Sequence, residues 1–128
     1  MRVSNKNSNK FGSTSLSGNK IFSVFCDTVI GSLNPDEQAS ISEMFLTPEI
    51  VEVLKDKELV ECVNAFLKNN LNISETSRNA FLHRNTLLYR VDKIHKLTGL
   101  NIRNFEDAMS FKLLTVVYER MNNRLGIN

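Results

Sequence analysis

Tryptophan is absent from this sequence of 128 residues, and the residues that cross-link or break a chain are few: two cysteines, two prolines and five glycines. Cys26 and Cys62 have neither the number nor the spacing of a disulfide framework or a zinc site, and Cys62 lies in a helical pattern typical of a small buried thiol. No apolar run reaches the length of a membrane span, and no apolar segment follows the N-terminal charges as it does in a secretion signal. These absences favour one small cytoplasmic domain.

Net charge is also small, at +2, but its balance changes along the chain. Residues 1–33 carry +3, residues 34–68 carry −5, residues 69–103 carry +4, and the remainder is neutral. A basic segment beside an acidic one favours a localised anion-binding face, although solvated Lys and Arg side chains give the same count.

The chain changes character near residue 34. The first twenty residues are mostly Ser, Asn, Lys and Gly, and bury too little surface to offset the entropy of ordering, so we expect a disordered tail. Residues 21–33 are β-branched and aromatic with rough alternation, which favours a short strand or an apolar strap. We interpret 1–33 as a tail or as the remnant of an upstream domain, and 34–128 as one domain.

Helix signals dominate the second part. Asn34 and Thr47 are each followed by proline, as is typical of a helix N-terminus. The apolar spacing between residues 49 and 67 predicts helix with a break near "KDKE", and the better helix runs from Glu58 to Asn69.

Three more helix boundaries follow. Ser74 is predicted to cap a short helix, and Gly99 to end a longer one that begins near Arg84. Asn104 is predicted to cap the last helix, with Asp107 three residues on completing a capping box. The sequence therefore predicts an all-α fold of about five helices.

The helix predicted from Asn85 to Thr98 is amphipathic. With 100° per residue, its core arc and the two shoulders of that arc hold Leu87, Leu88, Val91, Ile94, Leu97 and Thr98. The opposite face holds Asn85, Tyr89, Lys93 and Lys96, with Thr86 and Asp92 at its margins and Arg90 further round the side. On an isolated helix, a polar face of this kind is more often a solvated surface.

The neighbouring segments change that balance. A helix of about seven residues, a turn of three or four, and a longer amphipathic helix have the proportions of a helix-turn-helix. In that motif the first helix braces the second, whose N-terminal residues enter the major groove of DNA. The residues then able to reach base edges are Arg84, Asn85, Thr86 and Tyr89, while Lys93 and Lys96 lie near phosphates.

Each of these roles has a structural alternative. Thr86 can satisfy a backbone carbonyl, Tyr89 can fold onto Leu82, and Arg90 can pair with Asp92 or with an acid elsewhere. His83 stands where the cap of the second helix is expected, so its ring can accept a backbone amide or contact a phosphate.

A catalytic role for His83 is the least favoured interpretation, because no nearby Ser, Cys or acid forms a nucleophile-and-base arrangement with it. His95 falls at the edge of the buried face, where packing is expected, and no metal spacing links the two histidines. The sequence has no phosphate loop, metal cluster or paired carboxylates that spacing supports. We therefore predict no enzyme activity, no cofactor and no metal.

The motifs "HRNTLLYRVDKIHKLTG" and "FEDAMSFK", preceded by "NNLNISETS", resemble the C-terminal helix-turn-helix of the PucR/CdaR family of bacterial transcription regulators. The resemblance covers about residues 55–120. It implies a DNA-binding module, in which the groove-facing residues correspond to His83, Arg84, Asn85, Thr86, Tyr89 and Arg90. It also implies a sensor of a small-molecule effector, for which this chain has no room.

Two positions depart from the family pattern. Ser77 stands where alanine is usual, and Ala80 stands where a larger aliphatic residue is usual. Looser packing between the two short helices is the expected result.

The last predicted helix has more apolar residues than one core contact requires. We expect it to offer part of its surface to a second copy, forming a homodimer through Met109, Leu113, Val116 and Val117. The leading prediction is sequence-specific binding of double-stranded DNA in transcription regulation. The alternative is a protein-interaction or dimerisation module with a degenerate helix-turn-helix, which uses this helix and the acidic region 34–68.

Overall fold

The computed structural model describes residues 18–125, which contain seven α-helices and no β-strand. The helices are α1 (Gly18–Gly31), α2 (Pro35–Phe45), α3 (Pro48–Lys55), α4 (Lys57–Lys68), α5 (Ile73–Asn79), α6 (Arg84–Thr98) and α7 (Phe105–Leu125). The predicted all-α fold is confirmed, with more helices than the five or so expected. Most of the predicted tail lies outside the described residues. Within the part described, none of the helices has both the length and the apolar character that a membrane span requires.

Residues 21–33 were expected to form a strand or strap, and that expectation is wrong. They belong mostly to α1, in which Cys26 and Ile30 are buried against Val116 and Val117 of α7. A spacing of four residues places Cys26 and Ile30 on one side of a helix. Apolar residues on the outer side of α1 produced the rough alternation that suggested a strand.

A buried glutamine joins α1 to α2. The last carbonyl groups of a helix have no partner within the helix. The Nε2 group of Gln38 donates to the carbonyl of Ile30 in the last turn of α1 at 3.0 Å, and to the carbonyl of Leu33 just after the helix at 2.9 Å. Asn34, the predicted cap, forms a capping box with Glu37, and these two hydrogen bonds fix the start of α2. The end of α1 is thereby held against the domain.

Replacing Gln38 by leucine should lower the free energy of unfolding by about 1–3 kcal/mol, because the two hydrogen bonds from its buried amide group are lost. Urea unfolding followed by circular dichroism measures this change. The matched control is Ser40→Ala, at an exposed position on the same helix, which should stay within about 0.5 kcal/mol of wild type. Equal stability of both variants would contradict the role assigned to Gln38.

The predicted break near "KDKE" lies at Asp56. This residue ends α3, with its N–H bonded to the Val53 carbonyl at 3.0 Å, and also caps α4. Its carboxylate accepts hydrogen bonds from the amides of Glu58 at 3.1 Å and Leu59 at 3.3 Å. One side chain therefore separates two helices that the apolar spacing alone leaves nearly continuous.

Two predicted caps require correction. The N-cap of α5 is Asn72, whose Oδ1 accepts from the Glu75 amide at 2.8 Å, so Ser74 lies inside the helix. Asn104 does cap α7, but Asp107 does not complete a capping box: its carboxylate accepts from the Asn101 amide at 2.9 Å. In the first case Asn72 supplies the capping oxygen in place of Ser74. In the second case the Asn101 amide takes the carboxylate that a capping box would use.

The main core lies between α3 and α7. Its largest fully buried side chains are Phe66 of α4, Leu87 and Ile94 of α6, Ile102, and Phe111 of α7. Full burial of each such side chain contributes about 1.5–3 kcal/mol. Cys62 is buried in the same core, as predicted. α6 is therefore held by its apolar side from several directions.

The apolar excess of α7 is largely used within the chain. Val116 and Val117 are buried beneath α1, and α2 packs on the same helix. They are therefore not available to a second copy, and that part of the dimer prediction is wrong. Met109 and Leu113 are half-buried. The local sequence pattern could not reveal that α1 packs over Val116 and Val117, because the two helices are far apart in the chain.

Candidate nucleic-acid interface

α5 and α6 pack closely at the start of the interface. Ile73 of α5 belongs to the same buried cluster as Leu87 and Val91 of α6. Thr76 is also fully buried, and its hydroxyl donates to the Asn72 carbonyl at 2.7 Å. Since the buried polar atom is satisfied within its own helix, α5 can face the core without leaving an unpaired group.

A hydrogen-bonded turn connects the two helices. The amide of Ala80 donates to the Thr76 carbonyl at 2.9 Å, and the amide of Leu82 donates to the Ser77 carbonyl at 2.9 Å. The Ser77 hydroxyl donates in turn to the Leu82 carbonyl. Sequence reasoning missed this role of Ser77; the available signal was a hydroxyl group at a position where the family usually has a methyl group.

His83 caps α6, as predicted. Its Nδ1 accepts a hydrogen bond from the Asn85 amide at 3.1 Å, and the residue is exposed. This bond satisfies one of the free amides at the start of the helix and requires an unprotonated Nδ1. At the other end, Gly99 ends α6 in the left-handed conformation, with a φ of 82°.

Arg84 links the N-terminal ends of the two helices. Its Nη1 donates to the Ser74 hydroxyl at 3.3 Å, and both residues are exposed. The guanidinium therefore lies beside the first turn of α5 while its backbone begins α6. This contact, which the sequence did not predict, places both helix N-termini on the same side of the domain.

The outer face of α6 is open to solvent. Asn85, Tyr89, Asp92 and Lys96 follow one another at helical spacing, and all four are exposed. Tyr89 is 65% exposed, so it does not fold down over Leu82. Thr86 and Lys93 are half-buried at the margins. The structure thus brings most of the predicted site residues to one surface.

The outer face of α6 carries charges of both signs. Lys96 pairs with Asp92, with 3.1 Å between Nζ and Oδ2, and both side chains are exposed. Exposed pairs of this kind contribute little stability and exchange readily with solvent ions. Lys96 therefore has an acidic neighbour that the charge count of the segment does not reveal.

Arg90 and His95 occupy other environments. The Arg90 side chain is only 22% exposed, and its Nη2 lies 3.6 Å from Oε1 of Glu58 on α4. This pair fits the alternative of an acid elsewhere and braces α6 against α4. His95 is exposed, so its predicted packing is wrong.

The buried thiol of Cys62, near Arg90, is expected to be unreactive. Burial raises the pKa of Cys62, although the positive charge of Arg90 partly opposes this effect. The thiol stays protonated at neutral pH and is a poor nucleophile. Among the described residues, no group of three or more His, Cys, Asp or Glu side chains is placed to hold a metal ion.

Two helices packed through a shared core, a hydrogen-bonded turn between them and an open polar face on the second define a helix-turn-helix domain. The family profile described as the PucR C-terminal helix-turn-helix domain matches residues 59–116. This segment runs from the first turns of α4 into α7 and includes the whole interface. The match of residues 59–116 to this family profile agrees with the resemblance that the sequence predicted.

Three curated relatives match part of this chain. The purine catabolism regulatory protein of Bacillus subtilis (strain 168) is 32% identical over 59 residues, which cover 46% of this chain and 11% of the relative. The carbohydrate diacid regulator of Escherichia coli (strain K12) is 44% identical over 45 residues, 35% of this chain and 12% of the relative. The uncharacterized protein YxkF of B. subtilis is 35% identical over 66 residues, which cover 50% of this chain and 22% of the relative.

The matched part of this chain thus spans about a fifth or less of the length of these relatives. No solved structure matches the chain.

Proposed function

We propose that this chain binds double-stranded DNA with sequence preference and acts in transcription regulation. The observation that carries the proposal is the joined N-terminal ends of α5 and α6, beside a solvent-exposed row that starts at Asn85. A major groove admits one helix of this size, and the first helix of the motif then lies across the phosphate backbone. No described part of the chain covers the exposed row.

Base recognition is assigned to the first turns of α6. The Asn85 amide can pair bidentately with adenine, and the Arg84 guanidinium with guanine. Arg84 is held only by one bond to a neutral hydroxyl, at 3.3 Å, so exchanging that bond for a base edge costs little. Thr86 and Tyr89 lie near enough along the helix to contact a thymine methyl group or a backbone oxygen.

Phosphate contacts are assigned to the cationic side chains around this row. Lys93 and Lys96 lie farther along α6, and Arg78 of α5 is exposed near the turn. Lys96 must exchange Asp92 for a phosphate, which its exposed position allows. Arg90 remains in its pair with Glu58 and supports the helix from behind.

The regulatory part of the proposal rests on the names of two relatives, a purine catabolism regulatory protein and a carbohydrate diacid regulator. The effector, the regulated genes and the direction of control lie outside what residues 59–116 share with them. A small-molecule effector enters the proposal only through a sensor domain outside this chain.

The alternative function, a protein-interaction or dimerisation module, uses the acidic region 34–68 together with an open apolar face on α7. Val116 and Val117 of that face are buried. We therefore favour DNA as the partner. Self-association through the half-buried Met109 and Leu113 is a secondary proposal; a monodisperse monomer by light scattering at high protein concentration would remove it.

Binding should weaken steeply with salt, because each neutralised phosphate lowers log K by about 0.9 per unit of log salt concentration. Three to four contacts predict a slope of about −3, or roughly a 60-fold loss of affinity for a fourfold rise in salt. Fluorescence anisotropy with a duplex selected from a randomised library measures the slope. Salt-independent affinity, or no preference for the selected duplex over a random one, would contradict the proposal.

A further inference from the structure

Three non-glycine residues in the described chain have a positive φ: Asn70 at 56°, Leu71 at 61° and Phe81 at 54°. In this left-handed region the Cβ atom of an L-residue lies too close to the carbonyl oxygen that follows it. Each such residue therefore needs a compensating feature, and strained residues of this kind cluster at functional sites.

The first two have an evident compensation. Asparagine tolerates the left-handed conformation better than most residues, because its short side chain can bond locally. Leu71 packs against the main core, and its amide donates to the Phe66 carbonyl at 2.9 Å. The packing of its side chain offsets the unfavourable backbone.

Hydrogen bonds that close the end of α5, including one from the Phe81 amide to the Arg78 carbonyl at 3.4 Å, support the backbone of Phe81, but its side chain has no packing like that of Leu71 within the described residues. Its side chain is 95% exposed, the highest exposure among the large apolar residues of the described chain. The turn is fixed on both sides of it: Ala80 bonds to Thr76, and Leu82 and Ser77 exchange two hydrogen bonds. These bonds hold the ring outward. Glycine would fit this backbone with less strain, so stability of the isolated domain does not explain a phenylalanine here.

The position of Phe81 relates it to the interface. It precedes the cap His83 by two residues and Arg84 by three, so it stands directly before the helix end assigned to the major groove. Arg84 in turn reaches Ser74 at the start of α5. A groove edge offers apolar surface to such a ring, from thymine methyl groups and from the carbon atoms of deoxyribose.

We propose that Phe81 is a DNA-contact residue, which places its ring against deoxyribose carbons and thymine methyl groups at the edge of the major groove. The inference rests on the proposed function and adds an apolar contact to it. The folded protein keeps a strained, exposed phenylalanine in this turn because the ring is buried when the duplex binds.

The test compares Phe81→Gly, Phe81→Asn and Phe81→Tyr in the full chain, with the library-selected duplex as probe. Glycine and asparagine remove the ring and suit the left-handed backbone, so affinity should fall about 5- to 30-fold while the thermal midpoint does not fall. Tyrosine keeps the ring and should bind within about twofold of wild type. The slope of log K against log salt should be unchanged, because the ring carries no charge.

Phe25→Ala is the matched control. Phe25 is also largely exposed, at 63%, but it lies on α1, outside the helix-turn-helix, so its loss should leave DNA affinity unchanged. Wild-type affinity of the glycine and asparagine variants would overturn the inference. So would equal losses from Phe25→Ala, or an affinity loss accompanied by a lower thermal midpoint, which indicates a structural role.

Failure of the proposed function gives a different result. In that case the wild-type chain shows no preference for any duplex, and the inference about Phe81 is overturned with it. If the wild-type chain binds with the expected salt slope while Phe81→Gly binds equally well, only the inference is overturned.

Discussion

Asn85→Ala should weaken binding to the selected duplex by about 1–3 kcal/mol, or about 5- to 150-fold, and relax the preference at one base pair. The reason is that the contact proposed for this amide consists of two directed hydrogen bonds to one base edge, which alanine cannot make. Arg84→Ala should have an effect of the same size at a different base pair. Competition binding against duplexes substituted one base pair at a time measures both changes.

Lys96→Ala is the comparison within the same helix. Its ammonium group is assigned to a phosphate, so its removal should weaken binding to selected and random duplexes alike and reduce the salt slope by about one. His83, which caps the helix, is unsuitable as a neutral control, because its loss also frees the Asn85 amide. If Asn85, Arg84 and Lys96 variants lose the same affinity on every sequence, the division between base and phosphate contacts is wrong.

Phe66→Ala should lower the free energy of unfolding by about 3–5 kcal/mol. Phe66 is fully buried in the core that holds α6, and alanine would leave a cavity there. A loss of this size is a large fraction of the 5–15 kcal/mol typical of a domain. DNA binding should weaken together with the fold, because the core that contains Phe66 positions α6 and its exposed face. Urea unfolding gives the free energy.

Two other phenylalanine variants show whether the effect belongs to burial. Phe66→Leu leaves a smaller cavity and should cost clearly less than alanine. Phe25→Ala, on the outer side of α1, should stay within about 0.5 kcal/mol of wild type. A Phe66→Ala variant that unfolds within 1 kcal/mol of wild type would contradict the assignment of this residue to the core.

Much of the interface follows from local periodicity. The predicted core arc holds Leu87, Val91 and Ile94, and all three are buried. Asn85 and Tyr89 on the opposite side are exposed, as the same periodicity predicts. The calculation succeeds because one apolar arc must face the core, and the geometry of the helix then fixes where every other residue points.

Contacts between distant segments were less predictable. The start of α4 supplies no signal that Glu58 faces Arg90, and nothing in the local pattern relates Ser74 to Arg84. Ser74 and Asn72 are both good caps by composition. The structure selects Asn72, so that Ile73 already lies in the helix and in the core.

The sequence by itself determined the all-α class, the polar face of α6, and the resemblance of residues 59–116 to the PucR helix-turn-helix profile, because short-range spacing and a specific motif carry this information. Only the tertiary structure decided that α1 is a helix, that it covers Val116 and Val117, and that Phe81 is left exposed in a strained turn. These features depend on which surfaces meet after folding. Two segments far apart in the chain, such as α1 and α7, must pack together before either has a buried side. The local sequence pattern does not indicate which segments will do so.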